Sequence, residues 1–319
     1  MSAVAILQNP IFTDNDKARE WLERRIWATG RVCPHCGRIS YSTPLKGEKH
    51  RPGLYQCNDK NCREQFTVTV GTVFERSKLP LSKWLAALFL MVGSKKGISA
   101  HQVHRLLGIS YKSTWFMMHR LREAMRAGDL APMGGPGQTI EVDETFIGKR
   151  DGFEAKPGWV RHKNTVLTLV ERGGSARSFH IDEATKENIV PIVNENLDRE
   201  SHLMTDEARR YEAIGKEFAS HSVVDHSRKE YGYTDRQTGA KVNTNTVEGY
   251  YSIFKRGMKG VYQHCGEKHL HRYLAEFDFR YSNRSALGID DAYRADILAT
   301  GIVGKRLTYR RPHGLGVSQ

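Results

Sequence analysis

Four of the five cysteines stand in two short pairs, Cys33-x2-Cys36 and Cys57-x4-Cys62, with 20 residues between the pairs. Each pair lies among turn-forming residues, Pro34 and Gly37 in "CPHCG" and Asn58, Asp59 and Asn61 in "CNDKNC". Two such knuckles converging on one ion make a tetrahedral site of four thiolates, closed to water and therefore structural rather than catalytic. An odd cysteine total also argues against a disulfide framework. One zinc per chain, held by Cys33, Cys36, Cys57 and Cys62, is the first expectation. His35 adjoins Cys36, but four thiols already fill the site. The alternating "FTVTV" after Cys62 predicts a strand.

Helical signals flank this module. "DNDKAREWLERRIWAT", residues 14–29, spaces Ala18, Trp21, Leu22 and Ile26 as a helix does, behind an acidic start. Residues 82–126 read as three helices: "SKWLAALFLMVGS", then "ISAHQVHRLLG" capped by Ser99 and ended by Gly108, then "SYKSTWFMMHRLREAM" beginning at Ser110. A short helix, a three-residue turn with glycine and a longer helix make helix-turn-helix spacing. Tyr111, Lys112, Ser113 and Thr114 are where base edges or phosphates would be met. Trp115, Met118, Leu121 and Met125 read as core. The plainer alternative is a three-helix connector with polar helix starts. "GDLAPMGGPG", 128–137, holds four glycines and two prolines and reads as a linker.

Beyond it, strands are expected at 138–147, 164–171 and 176–181, with a "GG" hairpin turn at 173–174. A helix at 186–197, a strand ending at Asp206, a helix over 207–218, a strand "SVV" and a polar loop over 227–242 follow. A meander that then alternates with helices implies an α/β domain. Its first strand, "QTIEVDETFIGKR", carries Glu141, Asp143 and Glu144. Asp143 shares a face with Glu141 and Thr145, which water alone would explain. Asp206 suits a helix N-cap, and Asn245 with Glu248 resembles a capping box at the start of "NTVEGYYSIFKR". Together, Asp143, Asp206 and Glu248 lie on elements whose acids can converge on one sheet edge. Oxygen ligands so clustered select Mg²⁺ or Mn²⁺, and two such ions would clamp a phosphodiester. In the last of these helices Val247, Tyr251, Phe254 and Met258 form an apolar stripe. A second face carries Asn245, Glu248, Ser252, Lys255 and Lys259, which suits a metal ligand beside a phosphate track or, equally, a solvated face.

The partner fits the charge. Forty-nine Lys and Arg against 36 Asp and Glu give a net charge of +13 and a pI near 9.5 over 319 residues, favouring a polyanion, although an ordinary basic enzyme has such a balance too. The longest apolar run, "WLAALFLMVG", falls short of a membrane span, and the start lacks the features of a secretory signal. A cytoplasmic protein without membrane contact is expected. Cys265 and the histidines at 221, 226, 264 and 269 are read as structural.

"CPHCG", "YQCNDKNCREQFTVTVGTVFERSKLPL", "EVDETFIGKR", "TDEARRY", "VNTNTVEGYYSIFKRGMKGVYQH" and "HRYLAEFDFRYSNR" together resemble bacterial insertion-sequence transposases of the DDE type with an N-terminal zinc ribbon. The resemblance runs from about residue 15 to 285. It implies a multidomain α+β chain: an N-terminal helix and zinc ribbon (1–78), a helix-turn-helix segment (79–127), the linker (128–137), an RNase H-like α/β catalytic domain (138–285) and a basic tail (286–319). It further implies Asp143 and Asp206 as the first two metal ligands and a third position shared between Glu and Asn in this group. Glu248 and Asn245 compete for it, and Glu248 is preferred because a carboxylate neutralises Mg²⁺ better than an amide. The function implied is binding of terminal inverted repeats, metal-dependent strand cleavage and strand transfer to target DNA. A dimer or larger synaptic assembly, nucleoid-associated when on DNA, is the expected form. A transposase-derived regulator without catalysis, or an RNase H-like nuclease or resolvase, are the alternatives.

Overall fold

In the computed structural model, which describes residues 8–128, 130–154, 160–225, 232–234 and 241–308, the chain divides into two units. Met1–Ser94, Ile98–Met125 and Asp291–Gln319 make the first; Lys95–Gly97 and Arg126–Asp290 make the second.

In the first unit, helix α1 (Asn15–Ile26) is capped by Asp14, which accepts from the Asp16 and Lys17 N–H groups, and it buries Ala18, Trp21 and Leu22. Strands β1 (Ser42–Pro44), β2 (Tyr55–Cys57) and β3 (Gln65–Phe66) form an antiparallel ribbon. The strand expected over "FTVTV" stops at Phe66. The Thr67 and Thr69 hydroxyls meet at 2.9 Å and Val70 N–H donates to Thr67 O, so local hydrogen bonds turn the chain instead. Trp27, Tyr55 and Phe66 pack with ring centroids 5.4 to 6.1 Å apart. So small a core needs a further staple.

Helices α2 (Leu81–Gly93), α3 (Ala100–Leu107) and α4 (Tyr111–Met125) follow. Ser99 Oγ accepts from Gln102 N–H, and Gly108, at φ +63°, ends α3 in the left-handed region that glycine tolerates. The three residues before α4 complete the helix-turn-helix spacing. Residues 286–319, expected as a tail, require a correction. Asp291–Thr300 is a helix that buries Ala295, Leu298 and Ala299. Arg294 Nη1 donates to Val92 O at 2.8 Å, Lys305 Nζ donates to Ala124 O at 2.7 Å, and Val303 bridges to Thr72. Residues 309–319 lie outside the described residues.

The second unit is a five-stranded sheet in the order β6-β5-β4-β7-β8, with β4 at Thr139–Ile147, β5 at Asn164–Glu171, β6 at Ala176–Ile181, β7 at His202–Asp206 and β8 at Ser220–Val224. The β4–β5–β6 meander is antiparallel, and β7 and β8 run parallel to β4. One face packs Ile140, Val142, Leu167 and Leu169 on Ile189 and Val193 of α5 (Lys186–Asn196). The other packs Ile147, Val166 and Val170 on α6 (Asn245–Gly257) and α7 (Leu270–Ser282). Covered on both faces, β5 is buried from Asn164 to Val170, with apolar pairs Val166–Leu167 and Leu169–Val170 serving both sides.

Two expectations change. The helix over 207–218 shrinks to a 3-10 turn, Arg209–Tyr211, and one helical turn, Glu212–Gly215. Gly215 approaches the His221 ring so closely that a Cβ would lie 2.0 Å from Nδ1, and the chain turns away there. The linker is also docked: Met133 is buried and exchanges backbone hydrogen bonds with Asn196 and Asp198. Within the region read as a polar loop, β9 (Tyr233–Thr234) pairs with β10 (Lys241–Val242).

Candidate active site

Strands β4 and β7 pair in parallel with Glu141 opposite Met204, so the register carried on by two residues sets Asp143 level with Asp206. Carboxylate oxygens of Asp143, Glu144 and Asp206 lie within 4.8 Å of one another. Asp143 and Asp206 are half-buried and the Glu144 side chain is almost fully buried, beside the C-terminal end of β7, the usual side for a site in such sheets. Burial first, then the Glu144, Asp206 and Glu248 carboxylates, push the Asp143 carboxyl up to about 7, against the Glu144 N–H that donates to its Oδ1 at 2.7 Å.

Glu144, which sequence reasoning did not select, has its own partners. Arg210 donates to it through Nε at 3.1 Å and Nη2 at 2.6 Å, and the Tyr211 hydroxyl donates as well. Burial raises the Glu144 carboxyl, while Arg210 and Tyr211 hold it down. Arg210 also stands 3.6 Å from Asp206. Its position four residues after Asp206 in "TDEARRY" was the available signal. With Arg210 spent mainly on Glu144, Asp143 and Asp206 leave negative charge over, and their oxygen donors fit a hard divalent cation.

Asn245 and Glu248 lie exposed in the first turns of α6, and Glu248 is near enough to act on Asp143. The capping box between them does not form, because Thr244 occupies the N-cap and Asn245 is already helical. The Thr246 and Val247 N–H groups donate instead to Glu141, at 2.7 and 2.9 Å. Glu248 is thus not needed as a cap. The Asp206 cap also dissolves with its helix, leaving Asp206 Oδ1 accepting from Ala208 N–H at 3.2 Å. The apolar stripe of α6 is as read: Val247, Tyr251, Phe254 and Met258 are buried. Lys255 is half-buried, and its ammonium is lowered by burial, favoured by Asp143 and opposed by Lys259 and Lys163. Lys163 is a further member that the sequence pattern did not single out. Lys259 lies past α6 in a π-helical turn, Met258–Tyr262.

In the first unit, one sulfur from each of Cys33, Cys36, Cys57 and Cys62 lies within 4.8 Å of the rest, with Cys33–Cys62 at 3.8 Å and Cys36–Cys57 at 3.6 Å. The N–H groups of Arg38, Asp59 and Glu64, each two residues on, donate to Cys36, Cys57 and Cys62, an arrangement that favours thiolates. Even with the Glu64 N–H, burial and the other three sulfurs push Cys62 up to about 12. Such crowding is relieved by a cation, so the residues fit a thiolate-bound metal.

Of the proposed DNA contacts, Tyr111 and Lys112 are exposed, and Tyr111 stacks on His101 at 4.2 Å. Ser113 is half-buried with its hydroxyl 2.9 Å from that of Ser110. Thr114 requires a correction. It is fully buried and its hydroxyl donates to Ser110 O at 3.0 Å, so it faces the helix interior rather than a ligand. His221 Nε2 meets Thr205 Oγ1 at 2.9 Å, and among the described residues the remaining histidines and Cys265 join no cluster of three potential ligands. His226 lies outside the described residues.

Fold and site together define a DDE-type domain. Residues 134–282 match the ISXO2-like transposase domain and residues 13–65 the transposase zinc-ribbon domain, and the chain belongs to the insertion-sequence transposases that combine the two. It is 26% identical over 285 residues to an uncharacterized protein in transposable element ISH50 of Halobacterium salinarum, covering 84% of this chain and 91% of that one. A solved simian T-cell lymphotropic virus intasome in complex with PP2A regulatory subunit B56 gamma is 14% identical, with a TM-score of 0.28. That match covers 55% of this chain and 63% of the other, a likeness too slight to bear on function. Among the described residues no helix is long and apolar enough to cross a membrane.

Proposed function

We propose that the protein binds the terminal inverted repeats of its insertion sequence, cuts a strand there and joins the freed 3′-hydroxyl to target DNA. The observation that carries this reading is the meeting of Asp143, on β4, with Asp206, at the end of the parallel strand β7, with Lys255 close enough to act on Asp143. Asp143, Asp206 and a third group from α6, Glu248 before Asn245, would hold two Mg²⁺ or Mn²⁺ ions. Bound there, the ions supply the Lewis acidity that activates the attacking oxygen and offsets charge on the leaving one. Lys255, Lys259 and Lys163 would position phosphates, and Arg210 would keep Glu144 neutralised beside them. Zinc on the four cysteines would staple the ribbon. Tyr111, Lys112 and Ser113 would meet end DNA in a dimeric or larger synaptic complex. The protein would act in the cytoplasm, on the nucleoid.

The test is incubation of the full chain with labelled terminal-repeat DNA and Mg²⁺. Nicked and joined products are expected, cut products alone would indicate a nuclease, and neither would indicate a regulator. In the same assay Glu248→Gln should bind DNA but not nick, whereas Asn245→Ala should keep measurable activity. The reverse ranking moves the third ligand to Asn245.

A further inference from the structure

Glu141 is fully buried on β4, two residues before Asp143 and on the same face. A buried carboxylate persists only when its lone pairs are satisfied. Its Oε2 accepts from the Thr246 and Val247 N–H groups at 2.7 and 2.9 Å, and its Oε1 accepts from the Thr246 hydroxyl at 2.7 Å and Arg172 Nε at 2.6 Å. The same guanidinium donates to Lys241 O and Asn243 O, each at 2.7 Å, and Asn243 Oδ1 accepts from Asn245 N–H at 3.2 Å. One turn further along α6, the Tyr251 hydroxyl donates to Asp143 O at 2.5 Å.

The first turn of α6 is therefore fastened to the strand that bears Asp143 by a buried carboxylate paired with the partly exposed Arg172, and the pair touches neither Asn245 nor Glu248 through a side chain. Thr246 and Val247, the residues Glu141 grips, lie between those two candidates. Whichever of them is the ligand, its distance from Asp143 is governed by this joint. A merely capped helix would need one acceptor from its own chain neighbours, but here the acceptor comes from 105 residues away.

We infer that Glu141, with Arg172 and Thr246, is a positioning device that sets the third metal ligand on α6 against Asp143. The inference rests on the metal-site reading above. Mg²⁺ demands near-ideal octahedral geometry, so a loosened third ligand should weaken Mg²⁺ more than Mn²⁺, which tolerates distortion. Partners of this kind typically set metal affinity by about 10–100-fold.

The experiment titrates full-length protein, without DNA, with Mg²⁺ and separately with Mn²⁺, and reads the metal-induced rise in melting temperature. Glu141→Gln should raise the half-maximal Mg²⁺ concentration by about 10-fold or more, and Thr246→Val by about 3-fold, with smaller changes for Mn²⁺. Nicking by either variant should be rescued by Mn²⁺ in preference to Mg²⁺. Asp143→Ala should remove the metal response, and if it does not, the metal-site reading fails and the positioning role falls with it. If Asp143→Ala removes the response while both variants stay within about twofold of wild type, or shift the two metals equally, the positioning role is overturned. Should Glu141→Gln not fold, Thr246→Val decides alone, because it keeps the carboxylate and its Arg172 partner.

Discussion

Asp143→Asn should make the metal-free protein more stable at pH 8, an unusual result for a residue at the heart of a site. Folding raises the Asp143 carboxyl from 3.8 to about 7, so the ionised form is worse accommodated in the folded state than in the unfolded chain. A carboxyl so displaced is worth up to about 4 kcal/mol. Water reaching a half-buried carboxylate reduces the penalty, and about 2–4 kcal/mol is the expected gain on substitution. For a unit of this size that is roughly 5–15 °C in melting temperature. The sign follows from linkage. Below about pH 4 the carboxyl is protonated in both states and there is no penalty. Between pH 4 and 7 the unfolded chain ionises first and wild-type stability falls; above pH 7 the loss is complete. Asparagine carries no charge yet still offers an oxygen to the Glu144 N–H. The assay is thermal unfolding of both proteins in EDTA from pH 4 to 8. Their separation should open across that interval and then level off, and adding Mg²⁺ or Mn²⁺ at pH 8 should stabilise wild type more than the variant. Superimposable curves at pH 8, or a gap independent of pH, would refute the reasoning.

Two further outcomes are expected. Purified protein should contain one zinc per chain, and Cys57→Ser should lose it and unfold the ribbon while the sheet of the second unit persists; metal analysis and circular dichroism of both proteins check this. Lys112→Ala should weaken end binding at any sequence, and log–log plots of affinity against salt should lose about one unit of slope if Lys112 meets a phosphate.

What could be read from the sequence was what neighbours along the chain determine. The cysteine knuckles need only their spacing and adjacent turn residues. Ser99 and Gly108 bound α3 by contacts within four residues, and the double-faced burial of β5 is written in its composition. Asp143, in the middle of an expected strand, and Asp206, at the end of another, were also conspicuous as acids. The misses are groups whose roles come from partners far away. Glu141 lies 105 residues from the helix start it holds. Glu144 is matched to Arg210, 66 residues on. Alternation placed Glu144 opposite Asp143 and could not show that its longer side chain brings an oxygen back to the cluster. Thr114 looked available at a polar helix start, but its rotamer turns the hydroxyl inward. The Asp291–Thr300 helix was hidden by basic residues on either side of a modest apolar pattern.

That helix has a consequence for how the protein comes into being. The unit bearing the ribbon and the helix-turn-helix is interrupted in the chain by residues 126–290 and resumed at Asp291. A ribosome therefore makes the whole sheet domain before it delivers the segment that closes the first unit. At a translation rate of about 5–20 residues per second, the interval is on the order of ten to thirty seconds. By its end the site-bearing sheet has its full sequence while α2 still lacks the backbone contact that Arg294 makes to Val92. Synthesis thus runs through the whole second unit before the first can be completed, and the last helix sets the earliest moment at which the first unit can close.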